Sequence, residues 1–234
     1  MQLLFPHGFH KLTKDCHPIY FELIGNFNVS EFLNLGTFDE ILRYEVKLME
    51  IMERDYYKIC SQLKNGYIYG VFSIMDFKGI NTSVLHPKIF SYLKDMSILQ
   101  EYYPDNLNAC YVINAGIVFR SIYYACRPLL NEKTKGKIQV FGENYQEALL
   151  ERIEKENLPT FYGGTCECQG GCLFSNAGPW KKTNEIEEKI PEDIIKKRQE
   201  LTDMMFARKK QSDPNDTIKG IDSKGVKIED LENK

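Results

Sequence analysis

Apolar residues follow two rhythms along the first 180 positions. Pro-Ile-Tyr-Phe-Glu-Leu-Ile-Gly (18–25), Tyr-Ile-Tyr-Gly-Val-Phe-Ser-Ile-Met-Asp (67–76), Cys-Tyr-Val-Ile-Asn-Ala (110–115) and Ile-Gln-Val-Phe-Gly (138–142) are short, rich in β-branched and aromatic residues, and closed by Gly, Asp or Asn. They predict four strands. Between them, 38–63 and 86–102 carry apolar residues at three- and four-residue spacing over lengths that strands do not reach, which predicts helices. The alternation is that of an α/β sheet with crossover connections.

One segment breaks the amphipathic pattern. Gly-Ile-Val-Phe-Arg-Ser-Ile-Tyr-Tyr-Ala-Cys-Arg-Pro-Leu-Leu (116–130) is apolar almost all round a helix, interrupted by Arg120, Ser121 and Arg127. Such a helix is either wholly buried or covers something apolar that is not protein.

Composition changes after Trp180. Residues 181–234 hold 13 Lys or Arg and 13 Asp or Glu with a single aromatic, Phe206, so this tail cannot bury a core of its own. Pro191 followed by Ile194, Ile195, Leu201, Met204, Met205 and Phe206 predicts one amphipathic helix over about 191–208, with disorder beyond it. The expected organisation is therefore one domain over 1–180 and a charged tail over 181–234. The 234-residue chain carries a net charge of −3, which provides no global field for nucleic acid. No apolar run reaches the roughly 18 residues of a membrane span, and the N-terminus lacks the pattern of a signal peptide. With seven Cys, four of them scattered singly, the chain reads as a reduced cytoplasmic protein. A monomer is expected.

Ile74-Met75-Asp76-Phe77-Lys78-Gly79, Tyr102-Tyr103-Pro104, and Ile113-Asn114-Ala115 ahead of the greasy helix resemble the core of the CRAL-TRIO lipid-binding fold. The resemblance continues through Pro128-Leu129-Leu130, Thr134, Lys137-Ile138, Tyr145, Asn157-Leu158-Pro159 and Gly163-Gly164-Thr165, and ends at Gly178-Pro179-Trp180. His10-Lys11, Lys14-Asp15 and Pro18-Ile19-Tyr20 resemble the family's first strand and the turn before it. Within that family the chain is most similar to the yeast-type phosphatidylinositol and phosphatidylcholine transfer proteins of the secretory pathway. The resemblance implies a mixed sheet floor, flanking helices and a mobile gate helix enclosing a lipid pocket. On this reading 116–130 is the gate, with Ile117, Phe119, Ile122 and Tyr123 facing acyl chains when closed and a bilayer when open. It also implies a helical bundle ahead of the domain, whose basic residues help to hold inositol phosphate. Here the chain begins almost at the first strand.

Read as residues alone, Thr134 and Lys137 belong to a solvated basic turn with Lys133 and Lys135, and Asp105 is a loop acid. The resemblance assigns Lys137 and Thr134 to the phosphate of an inositol lipid and Asp105 to a position near the inositol ring. It assigns Tyr20 and Ser73 to choline and phosphate, with Phe9 supplying only the ring of a family Tyr. Val71, Met49 and Asn106 replace polar family residues of that same set. The implied ligand is one phospholipid, phosphatidylinositol before phosphatidylcholine, with no other cofactor and transient contact with Golgi or endoplasmic reticulum membranes. The alternative is a hydrophobic-ligand adaptor, for a sterol or isoprenoid, whose tail docks a protein.

Cys166, Cys168 and Cys172 form a C-x-C-x₃-C pattern that could present three thiolates to zinc. The four His are residues 7, 10, 17 and 86, so a fourth ligand would have to come from across the fold. Since related family members share a Cys-rich, Gly-rich turn here, it is read as a packed loop without metal. No P-loop or nucleophile elbow is present, so no enzyme is expected.

Overall fold

The computed structural model describes residues 4–34, 38–181, 196, 200 and 221–233. A six-stranded mixed sheet runs through them in sequential order: β1 (His7–Leu12), β2 (Pro18–Glu22), β3 (Val71–Asp76), β4 (Leu107–Ile113), β5 (Ile138–Val140) and β6 (Val226–Lys227). β2 to β5 are parallel, and the two outer strands pair antiparallel to them. The four predicted strands are the four parallel ones. Parallel neighbours need a crossover, and crossovers of one hand that step in one direction across a sheet keep their helices on one face.

Register then decides what each face carries. Tyr20 lies beside Ser73, and Ser73 beside Cys110, while Phe21, Ile74 and Tyr111 align on the opposite face. That opposite face is a continuous core in which Ile19, Phe21, Phe72, Ile74 and Ile113 pack against Leu149 of α8 (Gln146–Arg152) and against Ile153, Leu158, Tyr162 and Leu173. A buried polar knot anchors it. Asp76 accepts hydrogen bonds from the Lys78 amide at 2.9 Å, the Asn114 side-chain amide at 2.8 Å and the Tyr162 hydroxyl at 2.8 Å.

The crossover face is divided. Near one end, α2 (Phe38–Ile51) runs through a π-helical turn at Met52–Tyr56 into α3 (Tyr57–Lys64), so that Met52, Tyr56, Tyr57 and Cys60 pack with Phe9, Val71 and Trp180. Near the other, α4 (Pro87–Ser97) and α6 (Ile117–Cys126) pack on Val112, Ile138 and Val140. Pro87 at the first helical position and His86, whose Nδ1 accepts the Lys88 amide at 3.2 Å, start α4 as the sequence predicts. Two short helices complete this face, α1 (Val29–Phe32) ahead of α2 and α5 (Leu99–Tyr102) after α4.

The end of the chain differs from the sequence reading. Residues 221–233 are not disordered: β6 pairs with β5, and Ile228 and Leu231 are buried beside α6. The predicted helix over about 191–208 lies outside the described residues except for Lys196 and Glu200, both helical and paired at 4.0 Å.

Candidate functional site

Between the two clusters of the crossover face lies a cavity of about 410 Å³. Its floor comes from alternate strand positions, Tyr20 and Glu22 of β2, Val71, Ser73 and Met75 of β3, and Cys110 of β4. Leu48, Met49, Met52, Met96 and Leu99 wall it from the helices. All six residues that the sequence assigned to lipid, Phe9, Tyr20, Ser73, Asp105, Thr134 and Lys137, line this one cavity. So do Met49, Val71 and Asn106, the first two of them apolar where the resemblance has polar residues.

The basic rim is built locally. Asn131 caps the short helix α7 (Glu132–Lys135) by accepting the Thr134 amide at 2.8 Å, which presents Thr134 and Lys133 one turn ahead of β5. Lys137 Nζ donates to the Leu107 carbonyl at 2.6 Å and to Asp105 Oδ1 at 3.2 Å, and Lys133 Nζ reaches Asp105 Oδ2 at 3.4 Å. Asp105 adopts a left-handed backbone, φ 61°, which Asp tolerates better than most residues and which turns its carboxylate between the two ammonium groups. The hydrogen bond and charge of Lys137, with Lys133 behind it, hold the Asp105 carboxyl below the usual carboxylate range. Two cations, one anion and a hydroxyl leave a net charge of about +1, which matches a phosphodiester.

The floor holds two acids that sequence reasoning missed. Glu22 Oε2 accepts from the Ser73 hydroxyl at 2.9 Å, and burial lifts the Glu22 carboxyl to about 7 against that bond. Glu45 on α2 faces the same cavity and rises to about 7, first through burial and then through Glu22. The Tyr20 hydroxyl is also raised, by burial and by these acids, and its ring lies 4.7 Å from that of Phe9. The signal for Glu22 was present in the two-residue period of β2, which puts it on the face of Tyr20. Nothing in α2 singled out Glu45.

The expected gate residues sit on the same face of the sheet but do not line the cavity. Phe119 and Tyr123 are 4% and 3% exposed, and Phe119 packs edge-on to Phe77 with ring centroids 4.8 Å apart. Ile122 is half-buried, while Ile117 is 58% exposed and Tyr124 43%. The helix thus packs its inner face on protein side chains and leaves the apolar groups of Ile117 and Tyr124 exposed on its outer face. Arg120 donates to the Leu231 carbonyl at 3.2 Å, which ties the helix to the 228–233 turn.

A family model described as the CRAL/TRIO domain matches residues 5–164. The chain belongs to the CRAL/TRIO domain family. It is 38% identical over 191 residues to "Phosphatidylinositol/phosphatidylcholine transfer protein SFH11" of Arabidopsis thaliana, covering 80% of this chain and 50% of that protein. It is 37% identical over 177 residues to "Sec14 cytosolic factor" of Schizosaccharomyces pombe, covering 75% and 62% respectively. The "SEC14 cytosolic factor" of Yarrowia lipolytica is 34% identical over 179 residues, 76% of this chain and 36% of its own. The chain therefore spans about half the length of the plant relative and less than two thirds of both fungal ones. Among the described residues, no helix of this CRAL/TRIO chain is long and apolar enough to cross a membrane.

Proposed function

We propose that this chain binds one phospholipid of the phosphatidylinositol type in the cavity of the crossover face and exchanges it at cytosolic membrane surfaces, those of the Golgi or endoplasmic reticulum. The observation that carries this reading is the Lys137–Asp105–Lys133 rim with Thr134, opening onto a cavity walled by Met, Leu and Val. The ammonium groups and hydroxyl suit a phosphate, and the Asp105 carboxylate suits an inositol hydroxyl. The names of the plant relatives, which describe transfer of these lipids, support the same reading.

A carrier requires no nucleophile; it requires near-equal lipid free energy in pocket and bilayer. Each buried methylene is worth about 0.8 kcal/mol in either place, so the difference is set by packing and by the headgroup. A cavity of about 410 Å³ is at the small end of the range for ligand sites, ~300–1,000 Å³. Two acyl chains need more room, and in this reading it is supplied when α6 lifts from the sheet.

A second headgroup reading has its own support. Glu22 and Glu45 line the cavity with the rings of Tyr20 and Phe9, and a pair of carboxyls that a bound cation would help to ionise, beside aromatic faces, suits a quaternary ammonium. Ser73 already spends its proton on Glu22, so it offers a phosphate less than the family pattern implies. This favours phosphatidylcholine as an alternate occupant held through its cation. Exchange of labelled phosphatidylinositol and phosphatidylcholine between vesicles, measured separately for wild type and Lys137→Ala, tests both. Loss confined to the inositol lipid supports the assignment; equal rates for the variant and wild type on that lipid overturn it.

A further inference from the structure

On the face of the sheet opposite the cavity, the structure answers the question left by the C-x-C-x₃-C pattern. Gly170 and Gly171, at φ 74° and 85°, turn the loop back so that Cys172 returns to Cys166 and Cys168. The missing fourth donor comes from β1. His10, fully buried, joins the three thiols, and the four donor atoms all lie within 4.8 Å of one another. Some 156 residues separate His10 from Cys166, which is why the sequence reading took the loop as packing alone.

The hydrogen bonds around His10 decide which ring nitrogen remains available and in what form. Ser175 Oγ donates its proton to the Cys172 carbonyl at 2.9 Å. It can therefore only accept from His10 Nδ1, which lies 3.1 Å away, so Nδ1 carries the hydrogen and Nε2 carries a lone pair. That Nε2 is buried and has no hydrogen-bond partner. A buried lone pair left unused costs stability unless something occupies it. An imidazole oriented by a hydrogen bond at one nitrogen, with a lone pair left on the other and a cluster of thiols beside the ring, is the arrangement found around metal ions.

We infer that His10 Nε2 and the sulfurs of Cys166, Cys168 and Cys172 form a structural zinc site. A tetrahedral ion with Zn–S near 2.3 Å sets its sulfurs about 3.8 Å apart. Cys166 Sγ and Cys168 Sγ are 3.7 Å apart. The widest separation, 4.8 Å, requires a closure of only about 1 Å to reach that edge. Three sulfurs and one imidazole complete the coordination and leave no open position, so the role is to hold structure and not to activate water. Binding releases the thiol protons to solvent. A disulfide accounts for the geometry less well: 3.7 Å is far beyond a bonded S–S distance of about 2.05 Å, and pairing any two thiols leaves Nε2 without a partner.

The site clamps the edge strand β1 to the loop that leads to Trp180. Phe9 precedes His10 and points to the other face, where it lines the lipid cavity and packs 6.2 Å from the Trp180 ring. The ion thus fixes, from behind, the strand that forms one wall of the lipid site.

The full chain, produced in zinc-supplemented medium and exchanged into metal-free buffer, is predicted to retain about one zinc per chain by elemental and native mass spectrometry. Cys168→Ser, at a half-buried position, is predicted to bind zinc at least tenfold more weakly against a competing chelator, whereas Cys16→Ser, outside the cluster, binds as wild type. Alkylation of the wild type provides a readout independent of variant folding. Cys166, Cys168 and Cys172 are protected with zinc and become reactive once a chelator is added. Replacement by cobalt gives the thiolate charge-transfer band and strong visible bands of a tetrahedral site. Metal-free folded wild type after zinc loading, unchanged affinity in Cys168→Ser, or a disulfide within the cluster each overturns the inference.

Discussion

Lys137 Nζ and Asp105 Oδ1 lie 3.2 Å apart at the mouth of the cavity, and the same Asp105 carboxylate takes Lys133 on its other oxygen at 3.4 Å. The acid is half-exposed and screened by solvent, so the pair contributes little to stability. In the proposed site its effect is on selection. Asp105→Asn is predicted to leave the melting temperature nearly unchanged while frees both lysines for any anionic headgroup. In mixed vesicles the preference for phosphatidylinositol over phosphatidic acid should fall roughly fivefold, equivalent to about one neutral hydrogen bond. An unaltered preference, read by mass spectrometry of extracted lipid, would remove Asp105 from the headgroup site.

Glu22 predicts a pH signature. Its carboxyl is raised from 4.5 to about 7 in the folded chain, so between these values the folded state holds a proton that the unfolded state has released. Stability contributed by this group is present at low pH and is lost as pH rises through that window. His7, lowered by burial from 6.5 to about 4, gives the opposite slope, so the wild-type curve alone is not diagnostic. The difference between wild type and Glu22→Gln in lipid-free protein cancels His7 and reads Glu22 together with the part of the Glu45 shift that Glu22 causes, both of the same sign: the variant's relative stability should increase from pH 5 to pH 7. A flat difference would mean that Glu22 is solvated in the folded chain.

Much of this architecture is legible in the chain, and the omissions have physical causes. The parallel strands β2 to β5 are buried and β-branched, so they stand out; β1 contains His, Gly and Lys and is held as a strand by pairing with β2. β6 is only two residues long and sits in a charged tail, where no periodicity can form. The six residues proposed for lipid line one cavity, and the family resemblance, not their spacing, is what grouped them in the sequence. Glu45 and the His10–Cys partnership depend on tertiary approach, which spacing along the sequence does not encode.

The proposed gate helix, α6, offers a cleaner test than its sequence suggests. Phe119 is buried, so Phe119→Asp leaves a charge unpaired among apolar side chains and is predicted to cost about 4 kcal/mol or more in stability. Ile117, 58% exposed, can accept Asp with little effect on folding. If the outer face of α6 meets the bilayer, Ile117→Asp lowers vesicle association and exchange severalfold at an unchanged melting temperature. Wild-type exchange in that variant would place membrane contact elsewhere.

Tyr162→Phe examines the knot beneath the sheet. It removes one donor from the fully buried Asp76 carboxylate, and hydrogen bonds to charged groups are worth about 1.5–3 kcal/mol. A loss of that size by chemical denaturation is expected, with lipid selectivity intact because Tyr162 lies on the face away from the cavity. A loss below about 0.5 kcal/mol would show that water replaces the hydroxyl.

The most direct test of the lipid site is to incubate the purified full chain with vesicles of mixed phospholipids, re-isolate it, and identify bound lipid by mass spectrometry for wild type and Lys137→Ala. The account predicts about one phosphatidylinositol per wild-type chain and a roughly tenfold or greater depletion in the variant, the loss expected when a charged hydrogen bond to phosphate is removed. An empty wild-type cavity, or a bound lipid indifferent to Lys137, would contradict it.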